Sequence, residues 1–186
     1  MRIVAGELGG RHLAAPRGWK VRPTSDRVRE AVFSALGNIE GVRVLDLYCG
    51  TGALGIEAIS RGAETATLID RDVRPALGNV RNLELQDRID LVRADPEKWL
   101  KPRATGDAGE VGTFDLIFLD PPYKLADRLG PELDQHLPRH LAEGGRVIVE
   151  SAFRSPLELT LPLLRERRYG RTLVTFHGAP GTEASQ

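Results

Sequence analysis

Residues 119–123 read Leu-Asp-Pro-Pro-Tyr and close an apolar run, Phe-Asp-Leu-Ile-Phe-Leu-Asp over 114–120. Prolines stop strands readily, so the plain reading is a strand terminator followed by a turn. The same residues could also do chemistry. An aromatic exocyclic amine is a poor nucleophile because its lone pair is delocalised into the ring. Two acceptors, one for each N–H, would favour its pyramidal, nucleophilic form and so stabilise the transition state for attack. Asp120 can supply a carboxylate oxygen and Pro121 its main-chain carbonyl. Each stands before a proline, which holds both extended and aims their acceptors in advance. Tyr123 offers a flat face against which a base could stack.

A second stretch, Gly-Thr-Gly-Ala-Leu-Gly over 50–55, fits G-x-G-x-x-G between a strand-like and a helix-like segment. Gly50 and Gly52 would let the backbone turn tightly, and the helix N-terminus would offer free N–H groups to a ligand. Asp70 ends the next strand, twenty residues after Gly50, where a carboxylate meets ribose hydroxyls. These features suit NAD and S-adenosylmethionine equally, and a connection that simply needs glycines would look the same. Asp46 precedes the loop, where it could face a ligand's ammonium group, and Asp95 ends the third strand, on the adenine side. A crevice rimmed by Asp46, Asp70, Asp95 and Asp120 would suit a sulfonium cofactor and repel a pyrophosphate.

The elements that must position these residues alternate along the chain. A short hairpin around Gly9-Gly10 is expected first. A helix should follow in residues 23–38, capped by Thr24 or Ser25 and stopped by Gly37. Strands are then expected at 42–48, 65–70, 89–95, 114–120 and 145–151. Helices are expected at 53–62, 74–86 and 125–141, the last with a possible kink at Pro131, and 102–113 reads as a surface loop. Two further strands should meet around Gly170. This order predicts an α/β Rossmann-like fold on a mostly parallel seven-stranded sheet, with an antiparallel C-terminal strand and helices on both faces. In such sheets the first and fourth strands are neighbours and ligands sit at their carboxyl ends, so both unusual loops would share one crevice. One domain is expected over 1–178, with 1–40 as an N-terminal extension and 179–186 as a loose tail.

Composition narrows the class further. The chain has 186 residues, 41% hydrophobic and 28% charged, with one cysteine, which fits a soluble cytoplasmic protein without an internal disulfide. No segment reads as a membrane span or a signal peptide. The formal charge is zero but uneven. Residues 1–29 carry seven Arg/Lys against two acids, and 139–171 carry seven arginines against four glutamates, flanking an acidic middle. Basic ends hint at an anionic partner, though a solvated mixture of charges would look alike. The histidines at 12, 136, 140 and 177 show no ligand spacing with Cys49, so no metal is expected. His136 and His140 read as surface residues and Cys49 as buried packing.

The tetrad Asp120-Pro121-Pro122-Tyr123 resembles the [DN]-P-P-[YFW] motif of amino-directed methyltransferases of the Rossmann-like class. Together with "RPTSDRVREAVFSAL", "VLDLYCGTGALGIEAISRGA" and "IVAGELGGRHL", the chain resembles the RsmD family of 16S ribosomal RNA (guanine-N2)-methyltransferases, named for guanine 966. The resemblance spans nearly the whole chain. It implies S-adenosylmethionine as cofactor, held by Asp46, Tyr48, Gly50, Gly52, Asp70 and Asp95. It implies Asp120, Pro121, Pro122 and Tyr123 as the catalytic tetrad. Arg22, Thr24 and Arg27 match the family's N-terminal block, and with Arg11 are expected on the target or RNA side. Tyr48-Cys49 stands where Phe-Ala is common, and Tyr123 where Phe is usual.

The implied reaction is methyl transfer to the exocyclic N2 of a guanine in 16S rRNA. The expected substrate is a small-subunit ribonucleoprotein and the expected enzyme a monomer. A base must leave its stack to reach Asp120, which favours a loop or single-stranded target. DNA adenine and protein glutamine remain alternative substrates. An NAD-dependent oxidoreductase explains the glycine loop but gives the tetrad no role. An RNA-binding module without catalysis fits the basic ends but leaves the acids idle.

Overall fold

The expected alternation of strand and helix is present in the computed structural model, which describes residues 1–15, 25–102, 112–122 and 126–182. Seven strands form a mixed, mostly parallel sheet, and the chain divides into two compact units, Met1–Ala94 and Asp95–Gln186.

In the first unit α1 (Asp26–Leu36) is capped by Ser25, whose hydroxyl accepts from the Val28 N–H. It ends where Gly37 turns left-handed at φ 74°. Thr24, the other expected cap, lies outside the described residues. Then follow β1 (Arg43–Leu47), α2 (Ala53–Ser60), β2 (Thr65–Asp70), α3 (Arg74–Asn82) and β3 (Ile89–Arg93). β1 and β2 pair in parallel, as do β2 and β3. Parallel pairing requires a crossover connection, and here both crossovers are helical. Val44, Leu45, Leu47, Ile56, Ile59, Leu68 and Ile69 are fully buried and form the core of this unit. α3 is shorter than its apolar pattern, because Glu84 takes φ 59° and turns the chain out of the helix. The expected hairpin reduces to a single antiparallel bridge between Arg2 and His12, closed by a wider turn than Gly9-Gly10 alone would make.

In the second unit α4 (Pro96–Leu100) precedes β4 (Phe114–Leu119), α5 (Ala126–His136), β5 (Leu141–Ala152), β6 (Leu163–Tyr169) and β7 (Thr172–Gly178). β4 and β5 are parallel, while β7 runs antiparallel to both β5 and β6, so β6 is the outer strand of this unit. The sequence pattern does not foretell α4: one turn and a half is too short to show a periodicity. Pro131 lies inside α5, which gives way at Leu137 to a 3₁₀ turn ending at His140. Gly170 at φ 64° makes the tight β6–β7 turn that the sequence predicts. The loop at 103–111 lies outside the described residues. Ala179 is buried and donates its N–H to the Gly145 carbonyl, so packing continues into the expected tail as far as Thr182.

Candidate active site

β1 delivers Asp46 into the interior, 1% exposed, where its Oδ2 accepts the Gly55 N–H at 2.9 Å. The chain then leaves the strand through Tyr48 at φ 62°, a left-handed conformation unusual outside glycine, and reaches Gly50 and Gly52 at φ 55° and 77°. Gly52 is the N-cap of α2. A Cβ at Gly55 would lie 2.7 Å from the Leu68 side chain and 3.3 Å from Asp46 Oδ2, so the loop closes tightly onto β2 and the buried acid. Asp70, at the end of β2, accepts the Gly50 N–H on Oδ2 at 3.0 Å and the Asp72 N–H on Oδ1 at 2.9 Å. The two acids therefore clasp the glycine loop at its two ends, one within the fold and one at its rim.

Burial pushes the Asp46 carboxyl up to about 7; the Gly55 N–H opposes this, while the nearby Asp70 charge adds to it. Two carboxylates that repel each other beside a loop of left-handed glycines favour a cationic ligand over a pyrophosphate. Burial likewise raises the Cys49 thiol, which packs at 8% exposure as inert filling. The residues fit S-adenosylmethionine: Asp70 keeps a lone pair on each oxygen that a ribose diol could use, and the Asp46 carboxylate, when ionised, could offset an ammonium charge.

Asn79 belongs to this region too, and local sequence reasoning passes over it. Buried on α3, it donates from Nδ2 to the Thr51 carbonyl and to the Ala14 carbonyl, both at 3.0 Å, and accepts the Ala14 N–H at 2.8 Å. It thus ties the glycine loop to the segment that leads to the N-terminal block. Three more side chains hold that segment. Glu57 accepts the Val4 and Ala5 N–H groups, Ser60 accepts from Leu8 and donates to the Ala5 carbonyl, and Arg11 donates to the Asn82 carbonyl. Arg11 is therefore an exposed residue that caps the end of α3. Arg27 is exposed on α1, while Arg22 and Thr24 lie outside the described residues.

In the second unit Asp120 follows β4 directly and is half-buried, with Pro121 buried and Pro122 exposed. Tyr123 lies outside the described residues. Asp95 caps α4, accepting the Glu97 N–H at 3.2 Å with Pro96 in the first helical position. Its carboxylate thus has a structural duty that the expected adenine contact would have to share. His136 and His140, expected on the surface, are 9% and 5% exposed. The reason is that α5 and the following turn face inward: His140 stacks on Trp99 at 5.3 Å and bonds the Leu100 carbonyl, and burial lowers its pKa.

The family described as "Conserved hypothetical protein 95" matches residues 1–178. A Bacillus subtilis protein named "Putative rRNA methyltransferase YlbH" is 36% identical over 97% of this chain and 100% of its own length. The Escherichia coli "Ribosomal RNA small subunit methyltransferase D" is 36% identical over 67% of this chain and 61% of its own. Among solved structures, "Putative methyltransferase yhhF" of Escherichia coli superposes with a TM-score of 0.79 at 30% identity, covering 96% of this chain and 97% of that one. A Thermus thermophilus 16S rRNA methyltransferase, RsmC, solved with AdoMet and guanosine, shares the fold at TM-score 0.68 and 21% identity, over 88% of this chain and 44% of that one.

Proposed function

The chain belongs to the RsmD family of ribosomal RNA methyltransferases, and from that premise we propose that it methylates the exocyclic N2 of a guanine in 16S rRNA, using S-adenosylmethionine. The observation that carries the reaction is Asp120 itself, half-buried at the end of β4 and followed by a buried Pro121. In this reading Asp120 accepts one N–H of the guanine amine and the Pro121 carbonyl accepts the other. The lone pair then points out of the ring plane, and Tyr123 stacks on the base. When bound, S-adenosylmethionine supplies an electrophilic methyl group. Asp46 would offset the cofactor's ammonium charge, Asp70 would hold its ribose, and the left-handed glycines would let the backbone approach closely. As the amine nitrogen took the methyl from the sulfonium, leaving a neutral thioether, it would gain positive charge that the Asp120 carboxylate would stabilise until the proton passed to solvent.

The test is methyl transfer from labelled S-adenosylmethionine to small ribosomal subunits of an undermodified strain, with naked 16S RNA, DNA and bulk protein alongside. Nucleoside mass spectrometry is expected to find N2-methylguanosine. Asp120→Ala should lower turnover by about 10³-fold or more while cofactor affinity changes little. Label in adenine or glutamine would keep the mechanism and overturn the substrate. Undiminished turnover by Asp120→Ala would overturn the mechanism.

A further inference from the structure

The two exposed large hydrophobic residues among those described are Leu163, which begins β6, and Phe153, which follows β5 and lies beside the β6–β7 turn. Phe153 is 40% exposed and is the more unusual, because the Arg168 guanidinium lies over its ring at 3.6 Å. Arg168 is fixed a second time through its Nε, which donates to the Gly170 carbonyl at 2.9 Å. The Phe153 N–H in turn donates to the Arg171 carbonyl at 2.9 Å, which ties the end of β5 to the hairpin turn. Arg154 and Arg171 are exposed on either side. Over residues 153–171 the chain carries five arginines against two glutamates in a protein of zero formal charge.

The register places this cluster relative to Asp120. Leu119, the last residue of β4, pairs with Val149 on the parallel strand β5, which runs on to Ala152. Ala152 pairs with Thr172, and Thr172 with Tyr169, so the β6–β7 turn lies at the carboxyl end of β4 and β5. Strand spacing and rise put the cluster about 11–17 Å from Asp120, at the same end of the strands. An RNA segment whose base reaches Asp120 would cross this edge within a few nucleotides.

We infer that Phe153, Arg154, Arg168 and Arg171 form an RNA-docking platform that takes an unpaired base on the Phe153–Arg168 face and flanking phosphates on Arg154 and Arg171. The chemistry matches single-stranded recognition, in which bases stack on aromatic rings and guanidinium planes while arginines track the backbone. Charge on an outer strand also guards against edge-to-edge pairing. That duty explains Arg165 and Arg167 along β6, but it gives no reason to leave an aromatic ring exposed at the tip.

The inference rests on the rRNA reading, and its test separates the two. Binding of the full-length protein to naked 16S RNA and to undermodified small subunits is measured across a salt series, with S-adenosylhomocysteine affinity and thermal midpoint as controls. The double variant Arg154→Glu/Arg171→Glu alters only exposed side chains. It is expected to bind RNA at least tenfold more weakly and to lower the slope of log K against log salt by about two. Phe153→Ala should weaken binding about fivefold or more with the slope unchanged. Variants that match wild type in affinity and slope would overturn the platform alone. Loss on subunits but not on naked RNA would assign the surface to a ribosomal protein and overturn the RNA assignment. A wild-type protein that binds the cofactor analogue but neither RNA nor subunits would overturn the rRNA reading, and the platform with it.

Discussion

Arg29 and Arg88 in the first unit do opposite work to the arginines of the β6–β7 hairpin in the second. In the first, Arg29 is 0% exposed and lies between Asp26 at 2.9 Å, Glu57 at 3.6 Å and the Arg2 carbonyl, while Glu57, also 0% exposed, is shared with Arg61 at 2.8 Å. Arg88 donates to the Ile59 and Ala63 carbonyls at the end of α2 and to Glu7. In the second, Arg165, Arg167, Arg168 and Arg171 all face solvent. Both ends of the chain look basic in the sequence, yet part of the N-terminal excess is internal stitching, while the arginines of the β6–β7 hairpin are display. A charge count measures composition; whether it makes an electropositive surface depends on which carboxylates and carbonyls the fold brings to the guanidiniums.

The sharpest way to break this contrast is to remove Arg29. Arg29→Met should remove the donor to the Arg2 carbonyl and one of the two guanidiniums beside the buried Glu57, which keeps Arg61, costing about 2–4 kcal/mol. Urea unfolding monitored by circular dichroism checks it. A loss below about 1 kcal/mol would mean that Arg61 and the Val4 and Ala5 N–H groups suffice for Glu57, and that Arg29 is not needed as internal stitching.

Asn79→Ala ranks next, at about 1–3 kcal/mol, because the Thr51 and Ala14 carbonyls and the Ala14 N–H would each lose a partner. Affinity for S-adenosylhomocysteine, measured by calorimetry, should fall several-fold as the glycine loop loosens. Unaltered affinity would show that Asp46 and Asp70 alone hold the loop. Asn79 also shows where sequence reading stops. The β1–loop–α2 unit is legible because its glycines are demanded locally, by left-handed φ angles and by contact with Leu68. The cap at Ser25 and the turn at Gly170 are legible for the same reason. Asn79, Glu57 and Ser60 satisfy backbone groups 50 or more residues away, and no short pattern records such a bond. The burial of His136 and His140 escapes the sequence for a related reason: it depends on what α5 packs against, not on histidine spacing.

Asp46 predicts a pH effect in the unit of buried charges. Its carboxyl sits at about 7 when folded and near 3.8 in an unfolded chain, so the folded protein holds a proton that the unfolded chain releases across that window. The stability from this group is complete below the unfolded value and is lost as pH rises through about 7. Asp46→Asn should remove that slope, which thermal midpoints from pH 5 to 8 would reveal. A ligand ammonium needs the ionised form. Cofactor affinity should therefore rise by up to about tenfold per unit as pH approaches 7, then level off, with a proton released on binding. Calorimetry in buffers of different ionisation enthalpy detects that proton; a binding enthalpy independent of buffer would place the ammonium elsewhere.

The smallest expected effect is the counterpart of the first. Arg167→Ala removes an exposed guanidinium that donates to the neighbouring Glu166 carbonyl at 3.1 Å, so stability should change by no more than about 0.5 kcal/mol. Its worth lies in what it separates. If Arg167 serves chiefly to keep the outer strand from pairing with other chains, its loss should promote self-association at high concentration while RNA affinity stays constant, as light scattering and filter binding would show. If it shares in RNA binding, affinity should fall and the salt slope should drop by about one, with no change in association. A large loss of stability would instead show that β6 uses its arginines as the first unit does, and the division between stitched and displayed charge would fail.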